Sequence, residues 1–412
     1  MSTDRLLSRL LRYVQIETTA NDSTTDYPSS DGQWTLGKML VGELQEMGVE
    51  DVVHDQFGLI YATVPSKHAP TAPVVALNSH LDTSPETTGA GVKPQVITDY
   101  AGGDIVLPGD PSQVIRIEEC PALEQMMGRT LITTDGTTLL GGDDKAGLAI
   151  IMECAQRLLE NPDLVHAPLR ILFTCDEEIG RGIQHVDLQK LGAQVAYTFD
   201  GDGAGKLDVE TFSADMAVVT FAGINIHPSI GKDRMVNALR AAAFFVSRLP
   251  REMAPETTAE RQGFMHPFHI GGGVAEVQLQ ILLRDFDSAN LTGQAELIKR
   301  IATETEAEFV GAQVQVHVRT QYRNLSDGLA KEPRAVAIAQ RAHEDLNIPC
   351  QLSSVRGGTD GSVLTEKGLP TPNLSSGQHN QHSPLEWACL DEMEQAVQLG
   401  ISLLGLWGRE EK

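Results

Sequence analysis

The sequence lacks close cysteine pairs and long apolar runs. Its five cysteines are dispersed and form no Cys-x-x-Cys pair, which favours reduced thiols over a disulfide framework. No apolar stretch is long enough to cross a membrane. Residues 6–14 have the interleaved charges of an amphipathic helix, not the unbroken apolar region of a signal peptide. We therefore expect a cytoplasmic protein.

Basic residues are also scarce. The chain has 32 lysines and arginines against 56 aspartates and glutamates, so its formal net charge at pH 7 is −24. A surface with this charge repels nucleic-acid phosphates and anionic lipids, so we expect neither nucleic acid nor a membrane as a partner. The apolar fraction of 41% is typical of a globular protein, and 412 residues are too many for one ordinary core.

Two patterns of secondary structure divide the chain. Short apolar strands alternate with helices in the first half, which predicts an α/β sheet with helices on both faces. From about residue 213 a β-α-β-α-β pattern follows, which is the content of a small two-layer α+β domain. The first pattern then resumes. We therefore predict a catalytic domain of residues 1–212 and 324–412, and an inserted domain of residues 213–323.

Polar side chains follow three of the predicted strands. His80 and Asp82 flank one residue, so on an extended backbone both side chains point the same way. There the histidine could bind a metal ion while the aspartate orients it, although a polar strand end near solvent is the alternative. The triplet 176–178 and Asp200 follow two other strands, and consecutive acids are costly to bury without a cation.

A fourth acidic stretch precedes an apolar helix. Asp143 and Asp144 stand between a diglycine and Lys145. Adjacent carboxylates repel each other, and a divalent cation is a common reason for both to stay ionised. An acidic helix N-cap is the alternative interpretation. Because polar groups at strand ends of an open α/β sheet converge on one crevice, we predict a metal centre there.

In their order along the chain, these motifs resemble those of the M20 family of co-catalytic metallopeptidases. The residues that carry the resemblance are His80-x-Asp82, Gly142-Asp143-Asp144-Lys145-Ala146-Gly147, Asp176-Glu177-Glu178, Asp200 and His382. The chain further resembles the tripeptide aminopeptidase branch of that family at residues 130–136, 226–228 and 356–361. The resemblance covers essentially the whole chain. It implies a zinc-peptidase-like catalytic domain with a mixed sheet, and a lid domain of the kind that pairs in relatives, hence a homodimer.

The resemblance also implies two Zn²⁺ ions in each subunit. His80 and Asp200 would hold one ion, Glu178 and His382 the other, and Asp143 would bridge them. Asp143 is chosen over Asp144 by its family spacing, two positions before the lysine. Asp82 would orient His80, and Glu177 would be the general base. Such ligands also tolerate Mn²⁺ or Co²⁺, and His379 is an alternative to His382.

The implied activity is release of the N-terminal residue from short peptides, above all tripeptides. A metal-bound hydroxide would attack, with Glu177 as general base. His227 would contact the oxyanion, Asn237 the substrate backbone and Arg284 its C-terminal carboxylate, although Asp285 and Asp287 are alternative partners for Arg284. An M20 amidohydrolase acting on N-acyl amino acids is the alternative function. The chain departs from the family at Ser229 and at residues 383–386, which bears on substrate preference.

Overall fold

The computed structural model describes residues 2–411, and these divide into two compact units. The first unit comprises the residues up to Val209, Asp327–Ser353 and the residues from Thr359 onwards. The second comprises Glu210–Ser326 and Ser354–Gly358. Within the described residues, no helix combines the length and apolar character that a membrane crossing requires.

Residues 2–411 contain both α-helices and β-strands. In chain order, the α-helices are α1 (Ser2–Val14), α2 (Asp31–Glu46), α3 (Gly142–Glu160), α4 (Leu188–Leu191), α5 (Ala238–Arg248), α6 (Ser288–Glu308), α7 (Ser326–Leu329), α8 (Arg334–Asp345), α9 (Asp360–Glu366) and α10 (Leu390–Trp407). The strands are β1 (Val52–His54), β2 (Ile60–Val64), β3 (Val75–His80), β4 (Gln95–Ile97), β5 (Ile105–Val106), β6 (Val114–Ile115), β7 (Leu131–Thr133), β8 (Leu169–Thr174), β9 (Val195–Asp202), β10 (Lys206–Thr211), β11 (Ser213–Ala222), β12 (Phe264–Gly272), β13 (Glu276–Asp285), β14 (Gln313–Tyr322), β15 (Gln351–Val355), β16 (Asn373–His379) and β17 (Trp387–Cys389).

A large mixed sheet forms the centre of the first unit. Its strand order is β1-β2-β8-β3-β9-β16-β17-β7-β4, with β10 and β15 joined outside this path. Strands β8, β3, β9 and β16 run parallel to one another, and the pairs towards both ends of the path are antiparallel. This arrangement confirms the predicted mixed α/β sheet.

Helices cover both faces of this sheet. Ala76 of β3 and Ala196 of β9 pack with Leu364 of α9 on one face. The next residue along β9, Tyr197, points to the opposite face because side chains alternate along a strand. There its hydroxyl accepts a hydrogen bond from Nε1 of Trp407 in α10 at 2.8 Å. The prediction of helices on both faces is therefore confirmed.

The parallel strands bring their carboxyl ends to one edge of the sheet. Every residue of β3 is buried, as expected for a strand covered on both faces. β3 ends at His80, directly opposite Thr174 at the end of β8. β9 runs parallel to β3 on its other side and carries Asp200 near its end. Polar residues that are distant in sequence are thereby delivered to one place.

The second unit is a two-layer arrangement of its own. Its four strands pair in the order β12-β13-β11-β14, and every pairing is antiparallel. Helices α5 and α6 pack on this sheet around a core that includes Phe221, Phe245, Ile281 and Ile298. Asn237 caps the start of α5, and its side chain accepts hydrogen bonds from two backbone amides of the first helical turn.

Candidate metal centre

His80 lies at the centre of a group of acids. Its ring is almost fully buried, and Nε2 is 3.0 Å from Oδ1 of Asp143 and 3.7 Å from Oδ1 of Asp200. Its other nitrogen, Nδ1, is 3.1 Å from the backbone oxygen of Asp82 and 3.5 Å from the Asp82 carboxylate. The ring is thus oriented by Asp82 on one side and faces two carboxylates on the other.

His382 forms a second group on the other side of Asp143. It follows β16 in a left-handed backbone conformation, with φ 62°. Its Nε2 is 3.0 Å from Oε2 of Glu178 and 3.5 Å from Oδ2 of Asp143. The two carboxylate oxygens of Asp143 therefore face different histidines, Oδ1 towards His80 and Oδ2 towards His382.

Asp144 has a different environment from its neighbour. Its side chain is fully buried, and its oxygens accept hydrogen bonds from the backbone amides of His80 at 3.3 Å and Gly147 at 3.2 Å. Ligand atoms of His80, Asp144 and Asp200 lie within 4.8 Å of one another, as do those of His80, Asp143 and Glu178. Asp143 differs because both its oxygens face imidazole rings.

The turn that carries Glu177 and Glu178 is held by two other acids. Asp82 accepts hydrogen bonds from the backbone amides of Glu177 and Glu178, both at 3.0 Å. Asp176 adopts a left-handed conformation with φ 61°, and its carboxylate accepts from Gln33 Nε2 at 2.6 Å and from the Ser29 backbone amide at 2.8 Å. Sequence analysis missed Ser29 and Gln33, because no local pattern connects them with a turn about 145 residues away.

Burial and mutual repulsion shift the pKa values of these groups. Burial, with the Asp143 charge as a second cause, raises the pKa of Glu178 to about 8 and that of Asp200 to about 6. Burial also raises the pKa of Glu177 well above its usual value. Hydrogen bonds to Asp143 and Glu178 raise the pKa of His382 to about 11. For Asp143, burial raises the pKa, but hydrogen bonds from both histidines outweigh it and leave the value low.

The donors in this group suit a pair of divalent cations. They are imidazoles and carboxylates without cysteine, which is the ligand set of catalytic zinc sites. Oε1 of Glu178 is buried without a hydrogen-bond partner in the part of the chain that the structure describes. Such an atom is costly unless something else binds it. The residues therefore fit metal ions of the kind predicted.

His379, the alternative histidine, is engaged elsewhere. Its Nε2 is 2.7 Å from Oε2 of Glu392, and its ring stacks on that of Trp387 with centroids 3.8 Å apart. These contacts account for a ring nitrogen and a face of the imidazole. His382, not His379, is the histidine that approaches Asp143 and Glu178.

The predicted substrate-contacting residues all lie in the second unit. His227 is exposed, and its Nδ1 is 2.7 Å from the Ser229 hydroxyl. Asn237 caps α5 through its Oδ1. Arg284 is largely buried, and its Nη1 donates to the Asp215 and Leu283 backbone oxygens and to Gln321 Oε1. The guanidinium of Arg284 thus donates hydrogen bonds to residues of its own sheet. Asp285 and Asp287, the alternative partners named from the sequence, are not among these acceptors.

Comparison with known proteins shows the family of this chain. Residues 141–405 match the family described as "Peptidase family M20/M25/M40". A protein named peptidase T from Listeria welshimeri is 40% identical over 408 residues, covering 99% of this chain and 100% of the relative. The chain belongs to peptidase family M20. A second peptidase T, from a Geobacillus species, is 39% identical and covers 98% of each chain.

Several solved structures have the same fold as this chain over almost its whole length. Aminopeptidase PepT from Bacillus cereus superposes with a TM-score of 0.74 at 22% identity, covering 99% of each chain. A tripeptidase from Staphylococcus aureus gives 0.74 at 24% identity with the same coverage. YXEP from Bacillus subtilis, described as a dinuclear metal-binding peptidase, gives 0.63 at 13% identity, covering 98% of each chain. These structures show the shared fold.

The predicted family and branch are therefore confirmed. The M20 match and the full-length similarity to peptidase T proteins identify the chain as an enzyme, a hydrolase of the metallo-aminopeptidase class. Two groups at the sheet edge could each hold a metal ion, His80 with Asp144 and Asp200, and His80 with Asp143 and Glu178.

Proposed function

We propose that this M20 enzyme is a zinc-dependent aminopeptidase that releases the N-terminal residue from short peptides, above all tripeptides. The observation that carries the proposal is the position of Asp143, whose two carboxylate oxygens face His80 and His382 separately. A carboxylate in this position can join two ions in one site. The names of the full-length relatives, peptidase T, support the peptide substrate.

Five side chains would hold two zinc ions in each subunit. We assign His80 and Asp200 to one ion, Glu178 and His382 to the other, and Asp143 to both, with Mn²⁺ or Co²⁺ as acceptable substitutes. When bound, the ions would polarise the scissile carbonyl and lower the pKa of a water molecule towards about 7, so that hydroxide is the nucleophile. Asp82 orients His80 through Nδ1.

Glu177 is the general base. It has no metal to bind in this assignment, and its backbone amide is fixed by Asp82. Its carboxyl is influenced electrostatically by His80, Asp200 and Glu178, so it belongs to the same group. Its burial raises its pKa and thereby strengthens it as a proton acceptor. Glu177 takes a proton from the attacking water and passes it to the amine that leaves.

The second unit supplies the substrate contacts in this proposal. The Ser229 backbone amide points at Nδ1 of His227, so Nδ1 is an acceptor and Nε2 is left with a proton to donate to an oxyanion. Asn237 would contact the peptide backbone, and Arg284 would hold the C-terminal carboxylate through its guanidinium. We also propose that this unit is the lid and that it pairs with a second copy in a homodimer.

The proposed location is the cytoplasm. All five cysteines are free thiols, and four of them are buried. Unpaired thiols are typical of a reducing compartment.

A substrate panel tests the proposed activity. Purified enzyme loaded with zinc is offered tripeptides, dipeptides and N-acetyl amino acids, and zinc is counted by elemental analysis. We expect two zinc ions per chain and the highest kcat/KM with tripeptides. Faster turnover of the acylated compounds would favour the alternative, an M20 amidohydrolase. A folded chain without stoichiometric metal would contradict the proposed site.

A further inference from the structure

A buried glutamate connects the segment that carries Asp143 with the loop that carries His382. Glu386 lies four positions after His382 in the stretch that leads into β17, and only 1% of its surface is exposed. Oε2 of its carboxylate accepts hydrogen bonds from the backbone amides of Leu140 and Gly141, both at 2.8 Å. Oε1 accepts from the backbone amide of Asp143 at 3.0 Å.

The three amides belong to one segment, Leu140–Asp143, which we call the Asp143 segment. It comprises the first two residues of α3 and the two residues before them, and amides at the start of a helix have no partner within the helix. Glu386 provides that partner from a distant part of the chain. Contact is close, because a Cβ atom placed on Gly142 would lie 3.2 Å from Oε1 of Glu386.

The other end of this connection is the His382 loop, residues 380–386. The backbone amide of Glu386 donates to the Ser383 oxygen at 3.1 Å, and the Ser383 hydroxyl donates to the Asn380 oxygen at 2.9 Å. These bonds make a compact turn around His382. A displacement of Glu386 would therefore move the Asp143 segment relative to His382.

We propose that Glu386 is a positioning residue that sets Asp143 relative to His382, and so sets the geometry of the ion between them. This inference rests on the proposed two-metal function. The Glu386 carboxylate accepts hydrogen bonds from three backbone amides, so it acts through Asp143 and not on the substrate. Burying a carboxylate is costly, and three hydrogen bonds to the segment offset part of that cost.

Glu386→Gln is the test, because the amide keeps the shape but has only one acceptor atom. Replacing a residue that orients a metal ligand typically costs about 10–100-fold in metal affinity. We expect a loss in this range for Co²⁺, measured by chelator competition and visible absorption. In the metal-free variant, hydrogen exchange should be faster at the amides of Leu140, Gly141 and Asp143. Wild-type affinity in the folded variant would overturn the proposal.

Glu153→Gln is the matched control. Glu153 is a fully buried carboxylate ten positions after Asp143 in α3, about 15 Å along the helix, and it binds Arg5, Arg9 and Arg157. This variant should unfold at a lower temperature and keep wild-type affinity for Co²⁺. An equal loss of affinity in both variants would show that general destabilisation explains the effect, and would overturn the role of Glu386.

Glu386→Asp decides the matter if the glutamine variant does not fold. Aspartate keeps the charge, but its shorter side chain cannot reach all three amides, so we expect its affinity for Co²⁺ to be below that of wild type. Wild-type affinity in this variant would overturn the proposal. A wild-type protein that binds no second ion would contradict the proposed function instead, so the two failures are distinguishable.

Discussion

The candidate metal-ligand cluster of the first unit comprises His80, Asp143, Glu178, Asp200 and His382. It differs from the predicted substrate residues of the second unit in the partners that its polar atoms have. In the cluster, Asp143 faces both His80 and His382, and Oε1 of Glu178 is buried without a partner among the described residues. In the second unit, Asn237 caps a helix. Buried acids are costly unless a cation pairs with them. A capping side chain, by contrast, already stabilises its own helix.

This difference has a practical consequence for mutagenesis. A change in the cluster should remove the proposed chemistry and metal binding while the surrounding sheet keeps its core. A change at Asn237 or Arg284 should alter stability as well as any contact with substrate. The following predictions separate the two effects.

Among single substitutions, the largest effect is expected at Glu177. Glu177→Ala removes the proposed base, and general-base catalysis contributes about 10²–10⁴-fold, so kcat should fall by that factor. Both metal ions should remain, because Glu177 is not a proposed ligand. Stopped-flow or discontinuous peptide assays together with metal analysis check this. The exposed Glu118→Ala is the control and should behave like wild type. Activity that survives in Glu177→Ala would remove this residue from the base role.

Metal removal should abolish turnover and lower stability. A ligand present at 100 times its Kd stabilises the folded state by about 2.7 kcal/mol for each site. Unfolding in urea with and without zinc measures this difference. We expect the zinc-loaded enzyme to be more stable and to recover activity when zinc is returned. Identical unfolding curves in chelator and in zinc would contradict a metal site in the cluster.

Metal affinity should increase with pH. In the metal-free protein, hydrogen bonds to Asp143 and Glu178 raise the pKa of His382 to about 11, so this imidazole holds a proton at pH 7. That proton competes with the ion and must leave when the ion binds. Affinity should therefore rise between pH 6 and 8, by up to about tenfold per pH unit for each proton released.

Calorimetric titration in buffers of different ionisation enthalpy measures this proton release directly. The titrations are run at pH 6, 7 and 8 with the same metal ion. An affinity that is unchanged across this range, with no proton release, would show that His382 is not a ligand.

The smallest effect is expected at Asn237, where serine and alanine give different results. Alanine removes the cap of α5 and should cost about 1 kcal/mol of stability, while serine keeps a cap. Both remove the amide proposed to contact substrate, and loss of one hydrogen bond of about 0.5–1.5 kcal/mol should raise KM roughly 2–10-fold. Urea unfolding and steady-state kinetics measure the two effects.

Asp287 provides the control for this comparison. Its side chain caps α6 by accepting from the Ala289 backbone amide at 2.8 Å. Asp287→Ala should lose stability and keep the wild-type KM. A wild-type KM in Asn237→Ser would show that capping is the whole role of Asn237.

Much of the first unit was predictable from local patterns. The apolar runs at β3, β8 and β9 predicted buried strands, and the polar residues after them predicted a common crevice, because parallel strands end at one edge. The contacts that hold the site were not predictable in this way. Asp176 is held by Gln33, and the Asp143 segment by Glu386, across separations of 143 and 243 residues or more.

The sequence by itself determined the family, the mixed α/β fold and the candidate residues for the metal centre, because residue type and hydrophobic periodicity are local properties. Only the tertiary structure decided that Asp143 faces two histidines, that His379 pairs with Glu392, and that Asn237 and Arg284 already serve their own fold. Hydrogen bonds depend on distance and direction in space, and those are established only when separate strands and helices pack together.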